Sequence, residues 1–430
     1  MSNHYSPRSS LARVRTWLQA YFNTALPVGA LRRLQALSLA SDALMTVALA
    51  GSLFFSISPG EARSKITAYL LFTMAPFAIM APFVAPLLDR GALVRRKVVA
   101  GSALARIAAV TGMIFSLQSL AVFPLALISL VASKAYLVAK SSLVPEVVPQ
   151  EGPDSKTFIQ TNANLTLLGA VAGGVAAAIG AGILKTPFLG ASWDLIVELI
   201  PLTLMLREGL QLLRPFRTQT RQQRRHSRPA PGPSGPGYAT TLLLSLMVAA
   251  VRGQVGFFAL VLAFALKNSH SPTWVYGAAL ASSTLGSALA TQITPRLRHL
   301  VKESSIVAVS AGAIGVASVL AASSDPHRGA AIVLSFVIGI GAQSGKIAFD
   351  ADVQHELVVQ HYGRTFAKYE SSFQLAWVLG ALIAATSRFN LQTGESLLGT
   401  TSVLAIASYL IASAALRHSS GESAPPSEDW

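Results

Sequence analysis

The sequence contains no cysteine among its 430 residues. This absence excludes disulfide bonds, thiolate-bound zinc, iron–sulfur clusters and a cysteine nucleophile. Charged residues are also scarce: Asp, Glu, Lys and Arg make up 12% of the chain, about half of the share in an average soluble domain. Apolar residues make up 52% and the mean hydropathy is +0.51, so the composition is typical of a membrane protein.

Acidic residues are the rarer charge, with 19 Asp and Glu against 34 Lys and Arg and a net charge of +15. In a chain this apolar, such an excess marks loops held against the anionic face of a membrane. We therefore expect the lipid bilayer, and no nucleic acid, as the partner of the basic residues.

Long apolar runs predict an all-α membrane protein. A bilayer core of about 30 Å is crossed by a helix of about 20 apolar residues, and twelve stretches of that kind are bounded by charges or by Gly, Pro or Ser clusters. The twelve predicted transmembrane helices cover residues 34–57, 65–88, 98–117, 120–143, 160–184, 186–206, 239–266, 274–293, 305–323, 330–352, 366–387 and 396–416.

The distribution of basic residues predicts the orientation, because Lys and Arg resist translocation. With the N-terminus in the cytoplasm, the segments on that side hold 23 of the 34 basic residues and the opposite side holds six. An even number of spans then places both termini in the cytoplasm.

Five segments follow from these spans. The first combines an apolar helical stripe with Arg13 and Arg15, which is typical of a helix lying on a membrane surface. The third is rich in Arg, Pro and Gly and cannot form a core. The segments are an amphipathic cytoplasmic stretch, 1–33, an N-terminal six-helix bundle, 34–206, a cytoplasmic linker, 207–238, a C-terminal six-helix bundle, 239–416, and a cytoplasmic tail, 417–430.

The two halves repeat each other at an offset near 209 residues. Residues 145–148 after the fourth span correspond to 355–358, and Lys156 entering the fifth span corresponds to Arg364 entering the eleventh. Both halves start on the same side, so we predict two parallel six-helix repeats, an arrangement known from transporters with a site at the membrane midplane.

Three motifs carry a resemblance to a known family. Asp89-Arg90-Gly91 followed by Arg95-Arg96-Lys97 resembles the loop motif of the major facilitator superfamily, with Ala85 and Ala92 at two of the usual glycine positions. The run 139–149 with Asn162-Ala163 resembles the branch of siderophore and drug exporters of the enterobactin-exporter type, and 362–367 is its counterpart in the second half. Span five has no Gly-Pro pair, so the antiporter signature is missing there.

The resemblance implies a transporter that works by alternating access, without a cofactor. Its first, fourth, seventh and tenth spans would line the central cavity, and Asp89, Arg90 and Gly91 would form an inner gate that bonds the start of a neighbouring helix or an Arg. A monomer in a bacterial cytoplasmic membrane is expected.

Charges within the predicted spans are candidate sites, because a charged side chain in hydrocarbon costs at least about 2.5 kcal/mol. Four lie on cavity-lining spans: Asp42, Lys134, Arg252 and Lys346. Asp42 and Arg252 are repeat-related and predict either an exchangeable charge pair for proton and substrate, a fixed bridge between the halves, or two residues each paired within its own bundle. The two lysines suggest an anionic or zwitterionic substrate group, but Asp350 lies one turn from Lys346 and could simply neutralise it.

A second group lies on peripheral spans. Asp194 and Glu198 are one turn apart near the middle of span six, and two carboxylates that close repel each other. We expect them either to pair structurally with Arg106 of span three or to form a proton relay. Glu370 is expected near Lys368 or Arg364.

These features predict a secondary active transporter that exports a small molecule at the expense of the proton gradient. The alternatives are a lipid or lysolipid flippase of the same fold and a non-transporting scaffold or sensor. The histidines have no metal-ligand spacing, and neither a Walker motif nor a nucleophile elbow indicates an enzyme.

Overall fold

The computed structural model describes residues 27–49, 85–117, 119, 121–147, 155–186, 190–213, 236–268, 274–324, 327–356, 362–387 and 389–421. All regular secondary structure in these ranges is helical. The predicted amphipathic stretch up to residue 26, most of the second span, most of the linker and the end of the tail lie outside the described residues.

Twelve helices occur in the described ranges, in an order that matches the predicted spans. They are α1 (Pro27–Leu49), α2 (Ala85–Leu88), α3 (Ala92–Ser116), α4 (Val122–Val147), α5 (Ser155–Lys185), α6 (Ala191–Leu212), α7 (Pro236–Asn268), α8 (Trp274–Leu297), α9 (Glu303–Ala322), α10 (His327–Glu356), α11 (Tyr362–Thr386) and α12 (Leu391–Gly421).

Seven of these helices are long and apolar enough to cross a membrane. Helices suit this environment because every interior backbone group is bonded within its own segment. The seven candidate spans are Ala92–Ser116, Val122–Val147, Thr157–Leu184, Ala239–Leu266, Glu303–Ala322, Arg328–His355 and Leu391–Leu416. Of the predicted second span, the structure describes only the final turns as α2.

The first compact unit contains α1, α3, α4, α6 and α5 from Asn164 onward. Its apolar core is built from α1, α3, α4 and α6 and includes Met45, Val110, Met113 and Leu202. Helix α5 packs on α1 through small residues: a Cβ at Gly173 would lie 3.3 Å from the carbonyl oxygen of Leu39. Small residues let helix backbones approach closely, and such contacts replace the hydrophobic effect in lipid.

The second compact unit contains α2, the first turns of α5 and the helices α7 to α12. Packing is most extensive between α8 and α10, between α7 and α11, and between α9 and its neighbours α10 and α12. Two of these crossings bring backbones into direct contact at glycines, Gly253 and Gly380 between α7 and α11 and Gly339 between α8 and α10.

Many large apolar side chains are exposed, and they follow helical spacing. On α5, Val171, Val175 and Ile179 are exposed at successive turns. Such a stripe is costly in water but suits contact with lipid tails, which are as apolar as the side chains themselves.

Candidate functional site

Arg106 of α3 is the centre of a buried polar network in the first unit. The residue is 0% exposed. Its Nη2 donates to Asp42 Oδ1 and to Ser41 Oγ, each at 2.6 Å, and its Nη1 donates to Ser38 Oγ at 3.1 Å. The three acceptors lie on one face of α1, because residues three and four apart stand above each other on a helix.

Asp42 joins this network to α4. Its Oδ2 accepts a hydrogen bond from Ser133 Oγ at 2.9 Å, while Oδ1 holds Arg106. The Asp42 side chain is 31% exposed, whereas the Arg106 side chain is 0% exposed. The Asp42 carboxylate is therefore the solvent-accessible member of an ion pair whose other member, Arg106, is fully buried.

Glu198 of α6 is the second carboxylate of the network and is 0% exposed. Its Oε1 accepts from Ser41 Oγ at 2.7 Å and lies 3.9 Å from Arg106 Nη2. Its Oε2 has no hydrogen-bond partner among the described residues. One guanidinium thus faces two carboxylates, and one bound proton would balance the charge.

Ser41 connects the two carboxylates. Its hydroxyl oxygen accepts from Arg106, and the hydroxyl donates to Glu198. A continuous hydrogen-bonded chain therefore runs from Asp42 through Arg106 and Ser41 to Glu198. Such an arrangement can hold one proton at either end and transmit a charge change between them.

Asp194 does not belong to this hydrogen-bonded network. The sequence placed it near the middle of span six, but α6 begins at Ala191 and Asp194 is in its first turn. The residue is 0% exposed, and neither carboxylate oxygen has a hydrogen-bond partner among the described residues. A Cβ on Gly180 of α5 would lie 3.3 Å from Asp194 Oδ1, so that glycine leaves room for the carboxyl group. Of the two acidic residues considered for Arg106, only Glu198 lies beside it.

Lys346 of α10 is the centre of a second network, in the second unit. Its Nζ lies 2.5 Å from Asp350 Oδ1, 3.2 Å from Glu370 Oε2 and 5.7 Å from the centroid of the Phe373 ring. Lys346 and Asp350 form an i,i+4 ion pair. The sequence offered this neutralisation as one of two interpretations of Lys346. Glu370 was expected near Lys368 or Arg364, but its contact with Lys346 comes from a different helix, which sequence proximity cannot indicate.

Lys134 and Arg252 are the remaining charges of the predicted cavity. Both are partly buried, Lys134 on α4 and Arg252 on α7. Arg252 lies within electrostatic range of Lys346. Asp42 and Arg252 belong to different units, and Asp42 is paired with Arg106 in its own unit.

The loop motif lies between α2 and α3. Asp89 Oδ1 accepts from the backbone N–H of Arg364 at 3.1 Å, and Asp89 Oδ2 lies 3.2 Å from Arg364 Nε. The carboxylate thus contacts both the first turn of α11 and an Arg. Arg90 is exposed, and Gly91 has a φ of 125°, in the left-handed region that favours glycine.

The sequence resembles mycobacterial proteins of undescribed activity. No family model matches the chain. It is 28% identical over 409 residues to an uncharacterized protein of Mycobacterium leprae, across 86% of this chain and 69% of that protein. It is 38% identical over 152 residues to an uncharacterized protein of Mycobacterium tuberculosis, across 34% of this chain and 26% of that protein.

Solved transporter structures share the fold. A bacterial homologue of the iron transporter ferroportin matches 91% of this chain and 99% of its own, with a TM-score of 0.66 and 16% identity. The human organic anion transporter MFSD10 matches with a TM-score of 0.66 and 17% identity, across 90% of this chain and 98% of its own. The major facilitator superfamily transporter FucP matches with a TM-score of 0.61 and 14% identity, across the same shares. The fold is that of the major facilitator superfamily.

With the superfamily fold and its apolar helices, the chain is a multi-pass membrane protein. The resemblance that its motifs carried is confirmed at the level of the fold, whereas the enterobactin-exporter branch stays a prediction. No group of three or more His, Asp or Glu residues within the described ranges is placed to hold a metal ion.

Two further polar contacts of this fold did not follow from the sequence. Arg95 Nε donates to Glu146 Oε1 at 2.6 Å, which ties α3 to the end of α4. Asn162 of α5 donates to the side-chain oxygen of Gln354 of α10 at 2.8 Å, and both are buried. Arg95, Glu146 and Asn162 stand in the motifs quoted above, but nothing in the motifs indicates which side chains meet. Glu395 of α12 is a further buried acidic residue that the sequence did not single out.

Proposed function

We propose that the protein is a secondary active transporter that exports a small molecule in exchange for protons, by alternating access, in a bacterial cytoplasmic membrane. The observation that carries the proposal is the network of Arg106 with Asp42 and Glu198 inside a membrane-embedded helix bundle. Buried ionisable side chains in a membrane are costly and commonly mark ion pathways or proton relays. The mycobacterial relatives support the bacterial location.

Glu198 is the proposed proton site. It has one weak contact with the guanidinium, one hydrogen bond from Ser41 and one oxygen without a partner among the described residues. An ionised carboxylate in that position is poorly compensated, whereas a protonated carboxyl group leaves Arg106 fully paired with Asp42. Protonation of Glu198 and the Asp42–Arg106 ion pair therefore favour each other.

Asp42 is the proposed link to substrate. It is the partly exposed end of the network, so a charged or polar substrate group can compete there for Arg106 and Ser133. When Asp42 releases Arg106, the guanidinium can turn to Glu198 and favour loss of its proton. In this scheme the substrate binds at Arg106 and the proton binds at Glu198, and each event disfavours the other because both depend on the same guanidinium.

The experiment uses purified protein in proteoliposomes. A thermal-stability screen of small organic anions, cations and zwitterions identifies a ligand, and a pH-sensitive dye in the lumen reports proton movement when that ligand is added under an opposing gradient. We expect the wild type to couple the two fluxes, and Glu198→Gln to bind ligand without moving protons.

Glu208→Gln is the matched control, because Glu208 lies on the same helix but pairs with Arg33 at 2.7 Å. It should keep coupled transport. Proton movement in Glu198→Gln at the wild-type ratio would contradict the role of Glu198, and ligand flux without any proton movement in the wild type would contradict coupling.

A further inference from the structure

Glu395 of α12 is a buried carboxyl group without a hydrogen-bond partner among the described residues. It is the fifth residue of the helix and is 0% exposed. Neither of its oxygens has a hydrogen-bond partner among the described residues. An ionised carboxylate in such surroundings is strongly disfavoured, and the group is expected to be neutral instead.

Helix capping does not explain this residue. The start of α12 is capped by Asn390, whose Oδ1 accepts from the backbone N–H of Thr393 at 2.7 Å. Asn390 also accepts through its backbone carbonyl from the N–H of Gly394 at 3.1 Å. The N–H groups of Thr393 and Gly394 are therefore bonded without Glu395.

Ion pairing does not explain it within the described residues either. Helix α12 packs against α9 and α7, and the charged side chains described on those helices are Glu303 and Arg252. Glu303 is the first residue of α9 and pairs with Arg298 at 2.7 Å, whereas it is Ala322 at the other end of α9 that contacts the start of α12, through Gln392.

Arg252 is also distant along the seam between α7 and α12. Its near neighbour Gln254 donates to Ser402 at 2.9 Å, and Ser402 is two helical turns beyond Glu395. Close to Glu395 the same seam is apolar: a Cβ on Gly394 would lie 2.5 Å from Val261, and Leu398 is buried. The surroundings thus favour a neutral side chain.

We propose that Glu395 is a proton-binding site of the second unit, separate from the Arg106 network. Its carboxyl group carries a proton in the packed arrangement of α7, α9 and α12. When this seam opens and water reaches the group, the O–H bond breaks, the proton passes to water and the carboxylate remains. The link to transport rests on the proposed function, whereas the protonation itself does not.

Infrared difference spectroscopy tests the protonation directly. The infrared spectrum of the full-length wild type minus that of Glu395→Gln, in detergent at a mildly acidic pH above the ordinary pKa of a Glu side chain, should show the C=O stretch of a protonated carboxylic acid. The matched control is Glu303→Gln, whose ion-paired parent residue should show only carboxylate bands. If Glu395→Gln does not fold, Glu395→Leu provides the reference spectrum.

Two results would overturn the inference. One is a carboxylate band for Glu395, without the band of the protonated acid, at that mildly acidic pH. The other is a loss of thermal stability in Glu395→Gln that matches the loss in Glu303→Gln, because exchanging one neutral group for another should cost less than removing half of an ion pair.

A transport measurement keeps this inference distinct from the proposed function. In proteoliposomes the ratio of protons to ligand should fall in Glu395→Gln and stay unchanged in Glu303→Gln. An unchanged ratio in Glu395→Gln would contradict a role in coupling. A wild type that transports nothing would contradict the proposed function, while the infrared result would still decide the protonation of Glu395.

Discussion

Arg106 is the cation that compensates the carboxyl groups of Asp42 and Glu198. Its guanidinium bonds three side chains of α1 and faces Glu198 of α6, while its own helix is α3. A buried ion pair contributes little net stability over apolar packing, but removal of one member leaves the other uncompensated. We therefore expect the stability of a variant to depend on whether it leaves another charge of the network uncompensated.

Arg106→Gln should be the most damaging neutralisation in the first unit. It leaves Asp42 and Glu198 without a cation, and we expect a loss of about 3–5 kcal/mol in the free energy of unfolding. Asp42→Asn should cost less, because Glu198 remains beside the guanidinium. Unfolding in detergent with increasing denaturant provides the measurement.

The double variant of Asp42→Asn with Arg106→Gln distinguishes an interacting pair from two independent sites. It should be more stable than the sum of the two single losses predicts, because the two groups interact directly. Strictly additive losses would contradict the ion pair. Arg33→Gln is a control for the removal of a more exposed arginine, since the Arg33–Glu208 pair is partly exposed on both sides.

At the scale of helices, glycines determine which pairs can cross closely. A Cβ on Gly380 of α11 would collide with the backbone carbonyl oxygen of Gly253 on α7, and one on Gly339 of α10 would collide with that of Ser283 on α8. A backbone atom cannot move aside as a flexible side chain can. These crossings therefore require glycine.

Gly380→Ala should destabilise the protein by about 1–3 kcal/mol, because the added methyl group forces α7 and α11 apart. The measurement is the midpoint of thermal unfolding. The control is Gly101→Ala on α3, where a Cβ would meet nothing within 4 Å. Alanine favours helix there, so stability should stay equal or rise, and equal losses in both variants would contradict the packing argument.

Asp89 acts on the start of α11 from the loop between α2 and α3. Asp89→Asn keeps the shape of the side chain but removes the charge that faces the first turn of α11 and Arg364. The Arg364 side chain is 68% exposed, so the ion pair itself contributes little. The contact of the carboxylate with the helix start is the larger part, worth up to about 1 kcal/mol.

We therefore expect Asp89→Asn to fold normally and to transport more slowly. Its thermal unfolding midpoint should stay near that of the wild type, while initial transport rates in proteoliposomes fall. Lys302→Gln, which removes an exposed loop charge, is the control. A wild-type rate in Asp89→Asn would mean that the contact of Asp89 with the start of α11 has no gating role.

At the scale of the whole molecule, the basic residues predict the orientation in the membrane. Reporters fused after Arg225 or at Trp430 should lie in the cytoplasm, and reporters inserted near Gly60 or His327 should lie outside. The reason is the ratio of 23 to six basic residues between the two sides. Activity of an outside-specific reporter at Trp430 would contradict the predicted number of spans.

The helical architecture and the superfamily fold were predictable from the sequence: all regular secondary structure in the described residues is helical, and solved transporter structures share the fold. Helix existence depends on runs of apolar residues long enough to cross a bilayer, and this is a local property of the chain. The start of α6 was predicted at residue 186, but the helix begins at Ala191, after its N-cap Gly190; a hydropathy pattern does not mark such a boundary. That error placed Asp194 too deep along its helix.

Which charges meet was only partly predictable. The i,i+4 pair of Lys346 and Asp350 is visible in the sequence because both residues lie on one helix. The contacts of Arg106 with Asp42 and of Lys346 with Glu370 join different helices, so they depend on helix rotation and crossing, which a hydropathy pattern does not contain.

The sequence by itself determined the membrane environment and the helical class of this protein, because both are encoded in composition and in local periodicity. Only the tertiary structure decided that Asp42 is paired by Arg106, that Ser41 bridges to Glu198, and that Glu395 is buried without a partner among the described residues. The physical reason is that insertion into a membrane depends on the sum of side-chain hydrophobicities along a segment. The balance of a buried charge depends instead on a few atoms brought within about 3 Å by separate helices.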